Sequence, residues 1–281
     1  MYLVVVLIII LIASIFLQIN MATAAMEGFS ESNKICCLYA YYEKDDKYKQ
    51  NLQYFLDNGI LDNVDYYFII NGNCTVEIPE HPNIKVLQRQ NKGWDFGAWS
   101  YGVNHLNHVY DYYFFMNTSV CGPYTSSPNW TNPFLELFGN DVKVVGTSIN
   151  IYPFYNLSNY NLSQIYNHNS PFPHVQSMFY CIDHEYFEYL RHIDFFNESE
   201  INNIQDFHEL IIRKEIGLSQ HAILNGWNIN CILPKYRGLD YRTIRENINH
   251  SAPDGDPYSK NRYFGDSIDK YEVIFYKNNR E

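Results

Sequence analysis

The 281-residue chain has no run of basic residues and no zinc-finger spacing of Cys and His, and its formal net charge is −11. A chain this acidic lacks the electrostatic footprint that a phosphate backbone requires, which argues against a nucleic-acid partner. Charged residues make up only 18% of the chain against 46% hydrophobic, the balance of a folded protein rather than a disordered one. No internal repeat is present. No Lys or Arg precedes Lys34, so the apolar run from Tyr2 to Leu17 has no basic stretch ahead of it.

That apolar run is slightly short for a membrane span, which needs about 20 residues. Extended through Ile19, Met21 and Ala22, it becomes long enough to anchor, whereas Ala22-Thr23-Ala24 offers a signal-peptidase site. Residues 1–25 therefore read as a signal-anchor or as a cleaved signal peptide, and 26–34 as a polar linker. The first reading gives a single-pass membrane protein facing the ER or Golgi lumen; the second gives a secreted one. Six Cys permit disulfides in such a compartment. Cys36 and Cys37, however, are adjacent in a predicted strand and point to opposite faces, and buried free thiols are expected for most of the six. Glycosylation sequons occur at Asn73, Asn117, Asn129, Asn156, Asn161, Asn197 and Asn249, in a chain whose richness in Asn produces several by chance. The 26 Tyr and the many Asn fit nucleotide bias in the source genome, and equally a surface that handles sugars.

Hydrophobic patterning gives an alternation of elements. Strands are expected at 34–42, 64–70, 84–87 and 110–116, with helices at 46–61 and 96–106. This order predicts an α/β domain with a mostly parallel central sheet flanked by helices. Further along, 123–133 is a proline-rich loop, 142–149 a strand, 150–173 a long polar loop, 175–182 a strand and 184–192 a helix. Residues 206–225 read as helical with an interruption near Gly217, and 228–233 as the last strand. The domain is assigned to 35–245, and 246–281 to a polar extension wrapping its surface.

The most informative pair of segments is the glycine-rich run Asn91-Lys92-Gly93-Trp94-Asp95-Phe96-Gly97-Ala98-Trp99 and the aromatic strand that breaks off into Asn117-Thr118-Ser119-Val120-Cys121-Gly122-Pro123. A tight turn opening a helix, followed by a buried strand ending in small polar residues, is how an α/β enzyme forms a nucleotide pocket at the carboxyl end of its sheet. Gly93 and Gly97 permit the turn and a close backbone approach. Trp94 and Trp99 suit either the core or a sugar platform. Asp95 suits two roles, accepting hydrogen bonds from donor hydroxyls or capping the helix that follows. Asp183-His184 could form a metal pair, with a helix cap as the simpler role for Asp183.

Five segments in order, 91–99, 110–123, Val144-Val145-Gly146-Thr147, His174-Val175-Gln176-Ser177-Met178 and Lys214-Glu215-Ile216-Gly217-Leu218-Ser219, resemble glycosyltransferases of the rhamnan-synthesis-protein-F type, within the GT-A superfamily. The resemblance covers roughly 35–240. It implies a nucleotide-sugar donor, a glycan or glycoprotein acceptor, and hexosyl or deoxyhexosyl transfer. Donor-binding positions would be Asn91, Lys92, Gly93, Asp95, Asn117 and Ser119. His174, Gln176 and Ser177 would lie where acceptor and donor sugars meet. Glu215 would be the general base of an inverting transfer, although a solvated helix carboxylate is the competing reading and Asp206 and Glu209 are alternatives. Enzymes of this superfamily end the fourth strand in Asp-x-Asp, which holds a divalent metal; the matching position here is Asn117-Thr118-Ser119. Neutral groups are weak ligands for a hard cation. Two readings follow: a site with little or no metal, or Mn or Mg held by the diphosphate and by groups such as Asp95. Without metal, cations must stabilise the leaving diphosphate; Lys92, Arg213, Lys235 and Arg237 are candidates, and Lys235 and Arg237 the preferred pair. The rival functions are a related fold that binds glycan or nucleotide without turnover, and a secreted interaction protein using the 150–173 loop.

Overall fold

The computed structural model describes residues 33–139 and 141–278. The expected signal-anchor or signal peptide at 1–25 lies outside the described residues. Among the described residues no helix is long and apolar enough to cross a membrane.

The first half follows the expected alternation. Strand β1 (Ile35–Tyr41) is followed by helix α1 (Asp46–Asn58), then β2 (Val64–Asn71), β3 (Ile84–Arg89), α2 (Trp94–Val103) and β4 (Tyr112–Asn117). Asp45 starts α1 by accepting a hydrogen bond from the Tyr48 backbone N–H at 3.1 Å, leaving fewer unpaired donors in the first turn. Helix α2 begins two residues before expectation, because Gly93 takes a left-handed conformation (φ 68°) and turns the chain into the helix at Trp94.

The second half is more finely divided than its sequence suggests. A short β5 (Val120–Cys121) precedes the one-turn α3 (Asn132–Leu135). The strand expected at 142–149 is two strands, β6 (Val142–Gly146) and β7 (Ile149–Tyr152), broken at Thr147-Ser148. At Gly146 a side chain would collide with Val175, so the packing there leaves no room for a Cβ. The stretch expected to be an irregular loop contains a small hairpin, β8 (Asn156–Leu157) and β9 (Tyr160–Asn161), a one-turn α4 (Leu162–Tyr166) and the start of β10 (Phe172–Val175), which pairs antiparallel with β7. Elements this short carry no readable periodicity. The strand expected at 175–182 is likewise interrupted, and β11 occupies Phe179–Asp183. Helices α5 (His184–His192), α6 (Glu198–Asn203) and α7 (Phe207–Leu210) follow. A π-helical turn, Ile211–Ile216, then leads into α8 (Gly217–Leu224) and β12 (Asn228–Cys231). The expected interruption is real but lies before Gly217, as an extra residue wound into the helix.

Seven strands form one sheet in the order β12-β6-β11-β4-β1-β2-β3. All ladders are parallel except those of β11, which runs antiparallel to both β4 and β6. The carboxyl ends of β1 and β4 are adjacent, with Ala40 opposite Asn117. Tyr113 to Met116 are buried on both faces of the sheet. Each large apolar side chain so buried contributes roughly 1.5–3 kcal/mol, and this fixes where β4 must stop.

The C-terminal extension belongs to this unit rather than merely wrapping it. Helix α9 (Lys270–Val273) leads to the fully buried Phe275, whose ring stacks on Phe179 at 4.3 Å and meets Trp130 edge-on at 5.1 Å. Strand β13 (Tyr276–Lys277) then pairs antiparallel with β5, directly after the end of β4. All six Cys are free, five of them buried.

Candidate active site

A cavity of about 340 Å³ opens at the carboxyl ends of β1 and β4. Its walls carry Asp95 from the first turn of α2, Asn117 and Ser119 from the end of β4, Ser177 before β11, Glu215 from the π-helical turn, and Lys277 from β13. A larger cleft of about 440 Å³ lies between residues 168–173 and 241–245, but among the described residues no carboxylate lines it.

Four elements bring the polar groups together. The Asn117 amide Nδ2 donates to Asp95 Oδ2 at 2.7 Å, tying the start of α2 to the end of β4. Asn117 Oδ1 accepts from the Ser119 backbone N–H at 2.9 Å and from Ser119 Oγ at 2.6 Å. Both ends of the Asn117 amide are thus engaged within the protein. Thr118 knits β4 to β1: its Oγ1 donates to the Ala40 carbonyl and accepts from the Tyr42 N–H, each at 3.2 Å. Glu215 Oε1 accepts from the Ser177 N–H at 3.3 Å. Irregular turns such as the one carrying Glu215 are frequent where a helix must aim a side chain at a site.

Asp95 is enclosed, and desolvation pushes its pKa from 3.8 up to about 6; the nearby Glu215 adds to the rise, while the Asn117 hydrogen bond and the Lys277 charge oppose it. The cap of α2 is Gly93, so Asp95 sits inside the first turn and is not the capping residue. Burial likewise holds the His174 ring below its ordinary pKa, with Glu215 and the Phe172 carbonyl working against that shift.

The other sequence-predicted residues divide clearly. Asn91, Lys92 and Gly93 line a neighbouring groove with residues 202–205, on the other side of Trp94. His174 is buried beside the cavity without lining it, its Nδ1 bonded to the Phe172 carbonyl at 2.9 Å. Gln176 is committed elsewhere, accepting from Ser148 Oγ at 2.7 Å and donating to Asp256 at 3.1 Å. Lys235 and Arg237 do not reach the cavity: Lys235 pairs with Asp266 at 3.4 Å, and Arg237 donates to the Ile232 carbonyl at 2.8 Å. Arg213 is paired with Glu209 at 2.8 Å. Asp206 caps α7 by accepting from the His208 N–H at 2.9 Å. Asp183 is a helix cap, as its sequence position suggests, accepting from the Tyr186 N–H at 2.9 Å; it also pairs with the buried Lys143 at 2.6 Å.

Tyr42, Lys44, Tyr48, Phe207, Leu210, Ile211 and Lys277 also line the cavity, and no sequence motif singles them out. Phe207 is half exposed and packs against Trp94 with ring centroids 5.5 Å apart, leaving an aromatic pair at the rim. No periodicity could have flagged Lys277, which lies 160 positions beyond Asn117 in the chain.

The donor set does not suit a protein-held divalent metal. Among the described residues no three His, Cys, Asp or Glu side chains gather as ligands. At the end of β4 the groups are an engaged amide and two hydroxyls, and the nearest carboxylate already accepts a hydrogen bond from that amide. Hard cations select charged oxygens instead.

The family model for rhamnan synthesis protein F matches residues 77–255, well over half of the chain. All five segments that carry the sequence resemblance fall within that match. No curated protein matches the chain significantly. Among solved structures, the chain is similar to a mannosyltransferase of Pyrobaculum calidifontis in complex with GDP-Man and Mn2+, at 11% identity and a TM-score of 0.39, over 57% of this chain and 47% of that one. It is similar to the glycosyltransferase GlyE of Streptococcus pneumoniae at 10% identity and a TM-score of 0.33, over 65% and 43%. For the galactosyltransferase LgtC with donor and acceptor sugar analogs the values are 8% and 0.35, over 64% and 71%. The chain thus spans less than half the length of the first two. On the family match, the chain belongs to the rhamnan synthesis protein F family.

Proposed function

We propose that this protein is a glycosyltransferase of GT-A type that moves a hexosyl or deoxyhexosyl group from a nucleotide-sugar donor to a glycan or glycoprotein acceptor, with inversion at the anomeric carbon. The observation that carries the reading is the convergence of Asp95 and Glu215 on one cavity at the carboxyl ends of the parallel strands. That position is where open α/β sheets bind nucleotides, and membership of a family named for the synthesis of a sugar polymer supports the same chemistry.

In this mechanism Glu215 takes the proton from an acceptor hydroxyl as that oxygen attacks the anomeric carbon. The bond from that carbon to the diphosphate oxygen breaks, and its electrons leave with the nucleoside diphosphate. The Ser177 N–H holds Glu215 by one oxygen, which leaves the other for the acceptor. Asp95 accepts hydrogen bonds from donor hydroxyls, and Asn117, locked between Asp95 and Ser119, fixes its orientation. The half-exposed rings of Trp94 and Phe207 give the acceptor an apolar face to lie on. We assign the catalytic domain to 35–245 together with the extension that follows it, after a signal-anchor or signal peptide that directs it to the secretory pathway.

The test is a donor screen. The full-length protein is incubated with a panel of nucleotide-sugars, with and without a chelator, and nucleoside diphosphate release is measured. Release from at least one donor, retained in the chelator, is expected. Binding without release would instead support the rival reading, a protein that holds nucleotide or glycan without turnover.

A further inference from the structure

We propose that Lys277, delivered by the C-terminal strand β13, supplies the positive charge that holds the diphosphate of the donor. The inference rests on the nucleotide-sugar reading above and adds to it the residue that does the work usually given to a metal.

Three observations converge. Lys277 lines the same cavity as Asp95, Asn117, Ser119 and Glu215, close enough to Asp95 that its charge counters the rise in that carboxyl's pKa. Among the described residues no hydrogen bond or ion pair within 4 Å engages its ammonium group, unlike Lys235, Lys143 and Arg213, which are paired. The backbone on both sides of it is pinned. Phe275 is buried in the aromatic core two residues before. Lys277 itself sits opposite Val120 in the β13–β5 ladder. Asn278 exchanges amide hydrogen bonds with Asn51 at 2.8 and 3.2 Å and accepts from Lys47 Nζ at 2.7 Å.

The chemistry follows from the charge balance. A diphosphate leaving group gains negative charge as the glycosidic bond breaks, and a fixed cation beside it lowers the barrier. The cavity's own carboxylates, Asp95 and Glu215, would repel a diphosphate. Among the described residues, Lys277 and Lys44 are the cations lining it, and Lys44 leans over the Tyr48 ring at 6.0 Å. Lys277 lies opposite Val120, the residue that follows Ser119, just beyond the end of β4. A lysine acts on phosphate as a flexible point charge and needs no fixed fork geometry.

The experiment is calorimetric titration of the full-length protein, in EDTA, with UDP, GDP, CDP and dTDP and with the matching nucleosides. At least one diphosphate is expected to bind the wild type. Lys277→Met should weaken that binding at least 10-fold, leave the nucleoside unchanged, and keep its melting temperature; Lys277→Arg should restore most of the affinity. Lys277→Gln repeats the measurement should the Met variant fail to fold. Equal diphosphate affinity in wild type and Lys277→Met would overturn the inference while leaving the donor reading standing. So would an equal loss for nucleoside and diphosphate, or wild-type binding that appears only on adding Mn2+ or Mg2+. Absence of any diphosphate binding, with or without metal, would sink the donor reading itself.

Discussion

Replacing Asp95 by Asn should stabilise the fold at neutral pH while impairing the cavity. The carboxyl is enclosed, and its pKa rises from 3.8 to about 6 on folding. The folded state therefore binds more protons than the unfolded chain between these values, so stability contributed by this group falls as pH rises through the interval and stays low above it. The interval spans about 2 pH units, and each unit corresponds to about 1.36 kcal/mol, which sets an upper bound near 3 kcal/mol. Water reaching the cavity wall screens part of this, and a gain of about 1–3 kcal/mol is expected for the amide, which still accepts the Asn117 hydrogen bond. The assay is urea denaturation of both proteins from about pH 4 to pH 8, taking the difference between the two curves so that other titrating groups cancel. The difference should grow from pH 4 to pH 7 and then level off. Two curves that run parallel throughout would refute the claim that Asp95 is held against its charge. Gains of this kind at a working site come with lost function, so the same variant should release nucleoside diphosphate more slowly in the donor screen.

Two further outcomes bear on the site and its support. Glu215→Gln keeps an oxygen for the Ser177 N–H but cannot take a proton, so turnover should fall about 10²–10⁴-fold with donor affinity unchanged; intact turnover in single-turnover kinetics would remove Glu215 as the base. Phe275→Ala should cost about 3–5 kcal/mol in urea denaturation, because it empties a ring site stacked on Phe179, and it should also weaken nucleoside diphosphate binding by loosening the strand that carries Lys277.

The strand Tyr112–Asn117 is legible because an unbroken aromatic run that stops at small polar residues has few other destinations than a buried central strand. Asp95 is legible because a glycine-rich turn before a helix brings the next polar residue to the carboxyl end of the sheet. The sequence places Gln176 with the sugar-facing residues, whereas in the fold its side chain engages Ser148 and Asp256; nothing in its neighbours distinguishes the two faces of a short interrupted strand. Lys235 and Arg237 stand next to the last strand in sequence, but the turn after β12 leads them to Asp266 and to a backbone carbonyl. The C-terminal extension reads as surface from its sequence because Val273, Ile274 and Phe275 are a single apolar patch without a period.

The sequence by itself determined the alternating α/β order, the mostly parallel sheet, the absence of carboxylates at the end of β4, and the segments that mark the family. These are local properties: periodicity, turn chemistry and residue identity at adjacent positions. Only the tertiary structure decided which charges meet. Asp95, Glu215 and Lys277 lie 120 and 62 positions apart along the chain, and they share a cavity because the order of strands, a π-helical turn and a two-residue strand pairing bring them there. The cation at this site is therefore set by how the far end of the chain folds back onto the sheet, which no local pattern encodes.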